Sequence, residues 1–398
     1  MQDDISNIRA EQPSRANIVA ALGIGTIALL MLGVQPILLG ALVEEHAATL
    51  KGVGVIAMSE IVALGVGLVL CDTFFPLTHL RIIGSAAALF AAMLDAATVL
   101  MIGDAHLIVV RSATGLCEGA LLWLTTCLIV RSSTPERITG IFLVVQTLAQ
   151  AGLAAAFAGL VVPRLGWHGG YIVLAALTLL PCIVVAGLPA SITPLQARAD
   201  AALRWSVATV LPPVIVLLQM AAIGALWAYL EPLGKRAGFD AQGAQLTIAC
   251  VLLMQVLGGA CASLGVRWFG AVRVLTIGAM SLAAIPLAIH RLASGATLPF
   301  SLLSAAFGFT WLFLMPFQVG LALKVDPAGR VAMLIPAMQL LGTALGPLSA
   351  SLLIREGDAG SVALVSAGFA LAAAAFLLLG RARFRLAPAM ECDLQQGV

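Results

Sequence analysis

Twelve stretches of predominantly apolar residues follow one another along this chain, at 18–42, 51–72, 80–103, 105–131, 138–163, 169–189, 206–233, 241–265, 271–291, 296–323, 329–354 and 360–380. About 20 such residues in a helix cross the ~30 Å hydrocarbon core of a bilayer. Strand-like alternation is absent, which disfavours a barrel. Only 10% of the 398 residues are charged and 61% are hydrophobic, against roughly 25% charged in a soluble domain. A soluble protein of this size has too little core to hide so much apolar surface. The fold class is therefore an all-α integral membrane protein with twelve transmembrane helices.

The first 17 residues, MQDDISNIRAEQPSRAN, carry three acids and lack the basic start of a cleavable signal; they read as a cytoplasmic tail. Six of the 21 Lys and Arg residues (Lys51, Arg164, Lys235, Arg236, Arg291 and Arg355) fall on the side opposite the termini, Arg111 lies inside a span, and the other fourteen share the side of the termini. The positive-inside rule places both termini in the cytoplasm, so the expected location is a cell inner membrane, crossed many times. The longest polar connection, 190–205, divides the spans into units at 18–189 and 206–380, with a second cytoplasmic tail at 381–398. The halves carry traces of duplication: Arg137 and Arg330, Gln146 and Gln339, and Gly115 and Gly308 share an offset of 193 residues, and Pro135 and Pro327 shortly precede the two arginines.

Leu107, Arg111 and Gly115 form an L-x-x-x-R-x-x-x-G pattern, GWHGGY occupies 166–171, RWFGAVR 267–273 and PAMQLLGTALGP 336–347. These segments, with twelve spans split six and six, resemble the major facilitator superfamily over nearly the whole chain, from about 17 to 382. The resemblance implies two pseudo-symmetric six-helix bundles, a cavity lined by helices one, four, seven and ten, alternating access around a midplane site, and a monomer. The sequence departs from the superfamily pattern twice. The loop between helices two and three, GLVLCDTFFPLTHLR, holds Asp72 and Arg81 but no glycine flanked by basic residues. The fifth helix, VVQTLAQAGLAAAF, lacks the Gly-Pro-x-x-Gly-Gly pattern of proton antiporters.

A charge at the bilayer centre costs roughly 2.5–3.5 kcal/mol on insertion scales, so the ionisable residues inside spans are the first candidates for function. Arg111 and Glu118 are the only ones between Leu107 and Val130. At 100° per residue, Arg111, Gly115 and Glu118 lie within about 60° of one another on a helix. Glu118, near mid-depth, is placed to bind and release a proton as the cavity opens to one side; the alternative is a structural Arg–Glu pair. Asp95 competes for the arginine, since a tight hairpin brings it within ~3 Å of the depth of Arg111. Glu60 is the other mid-membrane acid. The second half offers Trp227, Tyr229, Glu231, Trp311, Phe317, Gln318 and Gln339 as cavity candidates, joined by Gln35 and Gln146 from the first. Asp72, Arg81, Arg267 and Arg273 are candidate gating residues.

No Gly-rich phosphate loop, HExxH or GxSxG occurs, so the chain reads as no enzyme, with no cofactor and no metal site. Six cysteines lie in apolar segments and none is spaced as CxxC; the scattered basic residues suit no nucleic acid. Isolated carboxylates fit protons better than a caged cation. The expected function is proton-coupled secondary transport of a small amphipathic or aromatic molecule, leaning toward efflux. Uptake of a monocarboxylate-type solute, a passive facilitator and a transporter-like sensor are the alternatives.

Overall fold

The computed structural model describes residues 13–193, 206–266, 268–326, 330–354 and 359–395. Arg267, residues 1–12 and 396–398 of the expected tails, and most of the 190–205 connection lie outside the described residues. Twelve helical passes follow in chain order. They are α1 (Arg15–Ala28 and Leu30–Glu44), α2 (Leu50–Phe74), α3 (Leu80–Thr98), α4 (Asp104–Ile129), α5 (Pro135–Ala156), α6 (Val162–Thr178), α7 (Val207–Ala228 and Leu230–Arg236), α8 (Ala241–Gly265), α9 (Ala271–His290), α10 (Thr297–Val325), α11 (Arg330–Leu353) and α12 (Gly360–Gln395). No strand occurs among the described residues.

Among the described residues, eleven helical runs are long and apolar enough to cross a membrane. One of them, Arg137–Gly187, is 51 residues long, or ~76 Å at 1.5 Å per residue, more than twice the hydrocarbon core. It contains two passes, because within Val162–Thr178 the chain leaves the helix at Gly166, with φ 62° and ψ −165°, a conformation only glycine takes at low cost; the second pass starts after it. Two ends differ from the sequence expectation. Helix α1 begins at Arg15 because Ser14 caps it, its hydroxyl accepting from the Asn17 N–H at 3.2 Å while Asn17 Oδ1 accepts from the Ser14 N–H at 2.9 Å. Helix α12 runs on past 380 to Gln395, through Pro388.

Apolar packing in a bilayer relies on close approach, and small residues supply it. A side chain at Gly115 of α4 would run into the Glu60 carbonyl of α2, and one at Gly308 of α10 into the Val251 carbonyl of α8. The glycines matched by the internal repeat thus perform the same task in each half. Large apolar side chains within the spans, such as Ile277 and Leu302, remain exposed, as expected of helices that meet lipid.

The two halves meet unequally. One apolar core, including Val34, Ile37, Val53 and Leu107 of the first half and Ile223, Leu226, Phe307 and Leu377 of the second, runs through both. A second core of Ile24, Leu64, Leu121 and Val185 belongs to the first half alone and lies toward the termini; from the other half only Leu340 packs on it among the described residues. The halves are thus closed on the side away from the termini, and among the described residues the core on the side that carries them is shared only through Leu340.

Because backbone cannot yield as a side-chain tip can, Gly115→Leu and Gly308→Leu should each cost about 1–3 kcal/mol, read as a lower thermal midpoint in detergent. Gly140 has nothing near its absent Cβ, so Gly140→Ala should leave the midpoint unchanged or raise it.

Candidate functional site

The turn between α3 and α4 closes at Gly103, with φ 92°. It returns the chain so that Arg111 reaches Asp95, Nη1 to Oδ1 at 2.6 Å. The other terminal nitrogen pairs with Oε1 of Glu60 on α2. Gln35 Nε2 on α1 donates to the second Glu60 oxygen at 3.5 Å. The Thr178 hydroxyl lies 3.0 Å from Asp95 Oδ2 and 2.7 Å from the Leu174 carbonyl. The guanidinium carbon stands 5.2 Å from the centre of the Tyr171 ring, a cation–π contact. Arg111, Glu60 and Asp95 are almost wholly buried, as a charge inside a bundle must be when it is paired. Five helices of the first half therefore converge on one guanidinium.

Glu118 stands apart. It is 5% exposed, it forms no ion pair among the described residues, and its Oε2 is shut off from solvent without a hydrogen-bond partner. Of the two partners left open for Arg111, the geometry selects Asp95 and adds Glu60. Three carboxyl groups then share the neighbourhood of one cation.

The second half answers with neutral polar groups. Gln339 Nε2 on α11 donates to Gln318 Oε1 on α10 at 2.8 Å, Gln318 Nε2 donates to Gln219 Oε1 on α7 at 3.1 Å, and Gln219 Nε2 donates to the Leu275 carbonyl on α9 at 3.2 Å. Beside this ladder on α10, Trp311 meets Trp227 edge-on at 5.4 Å and Phe307 at 6.0 Å, and Phe317 lies 5.4 Å from Phe313. The Trp311 indole nitrogen is buried without a partner, as is the side-chain oxygen of Gln146 on α5.

Trp227 also ties the halves together, its indole N–H donating to the Leu32 carbonyl at 3.1 Å. That carbonyl would normally accept from residue 36, which is proline and has no N–H. Nearer the closed end Tyr229 is fully buried at the break in α7. There Lys235 lies 2.8 Å from Glu44 of α1 and 2.8 Å from Glu231. Among the described residues, the loop candidates form no bond between the halves. Asp72 accepts from the Trp123 indole at 3.2 Å, and Arg81 Nε donates to the Leu188 carbonyl at 2.7 Å. Arg273 is exposed and pairs with none of the described residues; Arg267 lies outside them.

No protein-family model matches the sequence, and no curated protein matches it either. Solved structures do match. A single-residue variant of the nucleoside transporter NupG superposes with a TM-score of 0.73 at 12% identity, covering 91% of this chain and 99% of that one. A D-xylose-proton symporter gives 0.68 at 17%, with 91% and 97% covered. A bacterial homolog of the human lysosomal transporter Spinster, in an inward-facing and occupied conformation, gives 0.62 at 14%, with 94% and 96% covered.

The chain has the major facilitator fold. On that fold the charged cluster lies inside the first bundle and the amide ladder inside the second. Tyr171, Thr178 and Gln219 escaped the sequence reading. Gln219 carried a signal, as a polar residue inside an apolar span; Tyr171 stood in GWHGGY, which speaks for the fold rather than for a contact.

Arg111→Met leaves two carboxylates buried without a cation and should cost about 3–5 kcal/mol, visible as a large loss of folded protein in detergent. Glu118→Gln removes no partner and should unfold at the same temperature as the parent. Lys235→Ala unpairs Glu44 from the second half, so a cysteine placed at the closed end should gain reactivity toward a water-soluble thiol reagent added from that side.

Proposed function

We propose that the chain is a secondary active transporter that moves a small amphipathic or aromatic organic molecule by alternating access, coupled to protons and working toward efflux. The observation that carries the reading is Glu118, buried with an unpartnered oxygen while Glu60 and Asp95 take the charge of Arg111. An unpaired carboxylate in a low-dielectric interior is costly, and a proton on Glu118 removes that cost. Opening of the cavity to either side then gives the proton an exit. The D-xylose-proton symporter that shares the fold is a precedent for such coupling on this scaffold.

The substrate class follows from the second half. Edge-on and tilted aromatic rings suit an apolar or aromatic body, while the Trp311 N–H and the glutamine ladder suit neutral polar groups. Neither asparagine, Asn7 or Asn17, is mid-membrane to help bind a sugar, and Arg111, the sole mid-membrane cation, is already engaged, which disfavours a strong anion. Loading from the side of the termini, cytoplasmic by the Lys and Arg bias, is the direction proposed; transport of the ligand out of, rather than into, proteoliposomes whose termini face inside tests it.

A thermal-shift screen of metabolites and drugs identifies a ligand by the stability it adds. In proteoliposomes an imposed pH gradient should then accumulate that ligand. Glu118→Gln should lose gradient-driven accumulation yet keep exchange of ligand across the membrane at equal concentrations. Equilibration without accumulation by the parent protein would refute coupling, and undiminished accumulation by Glu118→Gln would refute the role given to that residue.

A further inference from the structure

A groove of about 400 Å³ lies away from the interface between the halves, lined by Arg81, Ile82, Ser85, Ala86 and Leu89 of α3 and by Cys182 just beyond α6. Its wall is almost entirely apolar. Ile82 and Leu89 are 67% and 48% exposed, and Phe90 and Met93 further along the helix are more than half exposed, so this face of α3 looks into the bilayer. The small side chains of Ser85 and Ala86 make the floor, and the Cys182 thiol, 3.6 Å from the Ser85 carbonyl, holds the neighbouring segment beside it. Arg81 sits at the mouth, in the first turn of α3 on the side of the termini. Its Nε is fixed by the Leu188 carbonyl at 2.7 Å, while its two terminal nitrogens have no partner among the described residues. The guanidinium is thus oriented and still has donors to offer.

We propose that this groove binds one anionic phospholipid of the leaflet on the side of the termini, its phosphate on the terminal nitrogens of Arg81 and an acyl chain along Ile82, Ala86 and Leu89. The dimensions agree. From Arg81 to Leu89 is eight residues, ~12 Å along a helix, and one leaflet's share of the hydrocarbon core is ~15 Å. The chemistry agrees as well. A guanidinium presents paired donors that match phosphate oxygens, and a groove open to lipid will be filled by hydrocarbon whatever its head group. Selection therefore falls to the charge at the mouth. A phosphatidylcholine brings its own cation to compete with Arg81; a phosphatidylglycerol does not. The bound lipid would brace the corner where α3 meets the end of α6, next to the Leu80 N–H to Ala190 carbonyl bond that anchors the departing chain.

The test is thermal unfolding of the full chain in detergent, with phosphatidylglycerol or phosphatidylcholine of identical acyl chains added, together with native mass spectrometry to count retained lipid. The parent protein should gain more from phosphatidylglycerol and retain one molecule. Arg81→Gln should weaken that binding about fivefold, the effect of one basic residue at a membrane surface. Ala86→Trp, which fills the groove and leaves the arginine intact, should abolish retention. Arg273→Gln, at an exposed arginine elsewhere, should behave as the parent. Equal retention by Arg81→Gln and Arg273→Gln, or undiminished retention by Ala86→Trp, would overturn the proposal. So would an equal gain from inorganic phosphate alone, since the site would then read phosphate without needing a lipid chain.

Discussion

The pairing of Arg111 with Asp95 and Glu60 organises the first half of this molecule. Hydrocarbon provides no hydrophobic drive for helices to associate, so the bundle relies on packing and on polar groups that have no alternative partner. A guanidinium inside the bilayer has no such alternative. It draws α2 and α3 onto α4 and meets Tyr171 of α6, while its carboxylate partners bring in Thr178 of α6 and Gln35 of α1. Gly115 lets this happen, because α2 and α4 approach at backbone distance where Arg111 meets Glu60. The same settlement leaves Glu118 without a cation, so the structural and the chemical properties of the bundle share one origin.

Much of this was legible in the sequence, for reasons that can be named. Span positions follow from bilayer thickness and apolar content, and the nearness of Asp95 to Arg111 follows from counting residues on either side of a tight turn. Glu60 as the second partner did not follow. Its contact joins α2 to α4, two helices whose relative rotation no periodicity records. The breaks at Leu29 and Tyr229 were equally hidden. Neither residue is a glycine or a proline, and each break is sustained by tertiary groups: Gln150 Nε2 donates to the Leu29 carbonyl at 2.6 Å, and Tyr229 is enclosed between the halves. Pro36 announced a lost backbone bond, but that the freed carbonyl would be taken by Trp227 of the other half depends on where α7 lies.

The division of core between the halves gives the fold its direction. On the closed side the apolar contact is continuous, and leaving that state means parting it along with the Glu44–Lys235 pair and the Trp227 bond. On the side of the termini little is shared, so little resists the opposite movement. Among the described residues these polar bonds differ in kind: the Glu44–Lys235 pair is partly open to solvent, whereas the Trp227 indole is buried.

The glutamine ladder has a consequence of its own. A backbone carbonyl can only accept, so the Leu275 oxygen dictates which way the Gln219 amide faces, and each amide in turn dictates the next. The series is a wire with a fixed polarity, grounded in α9 and ending on α11. At that end Gln339 has given its nitrogen to the chain and keeps its oxygen in hand. Carboxamides do not titrate, so no change of pH reverses the order. The ladder thus ends on an acceptor, the Gln339 oxygen, while the unpartnered Trp311 N–H in the same half is a donor.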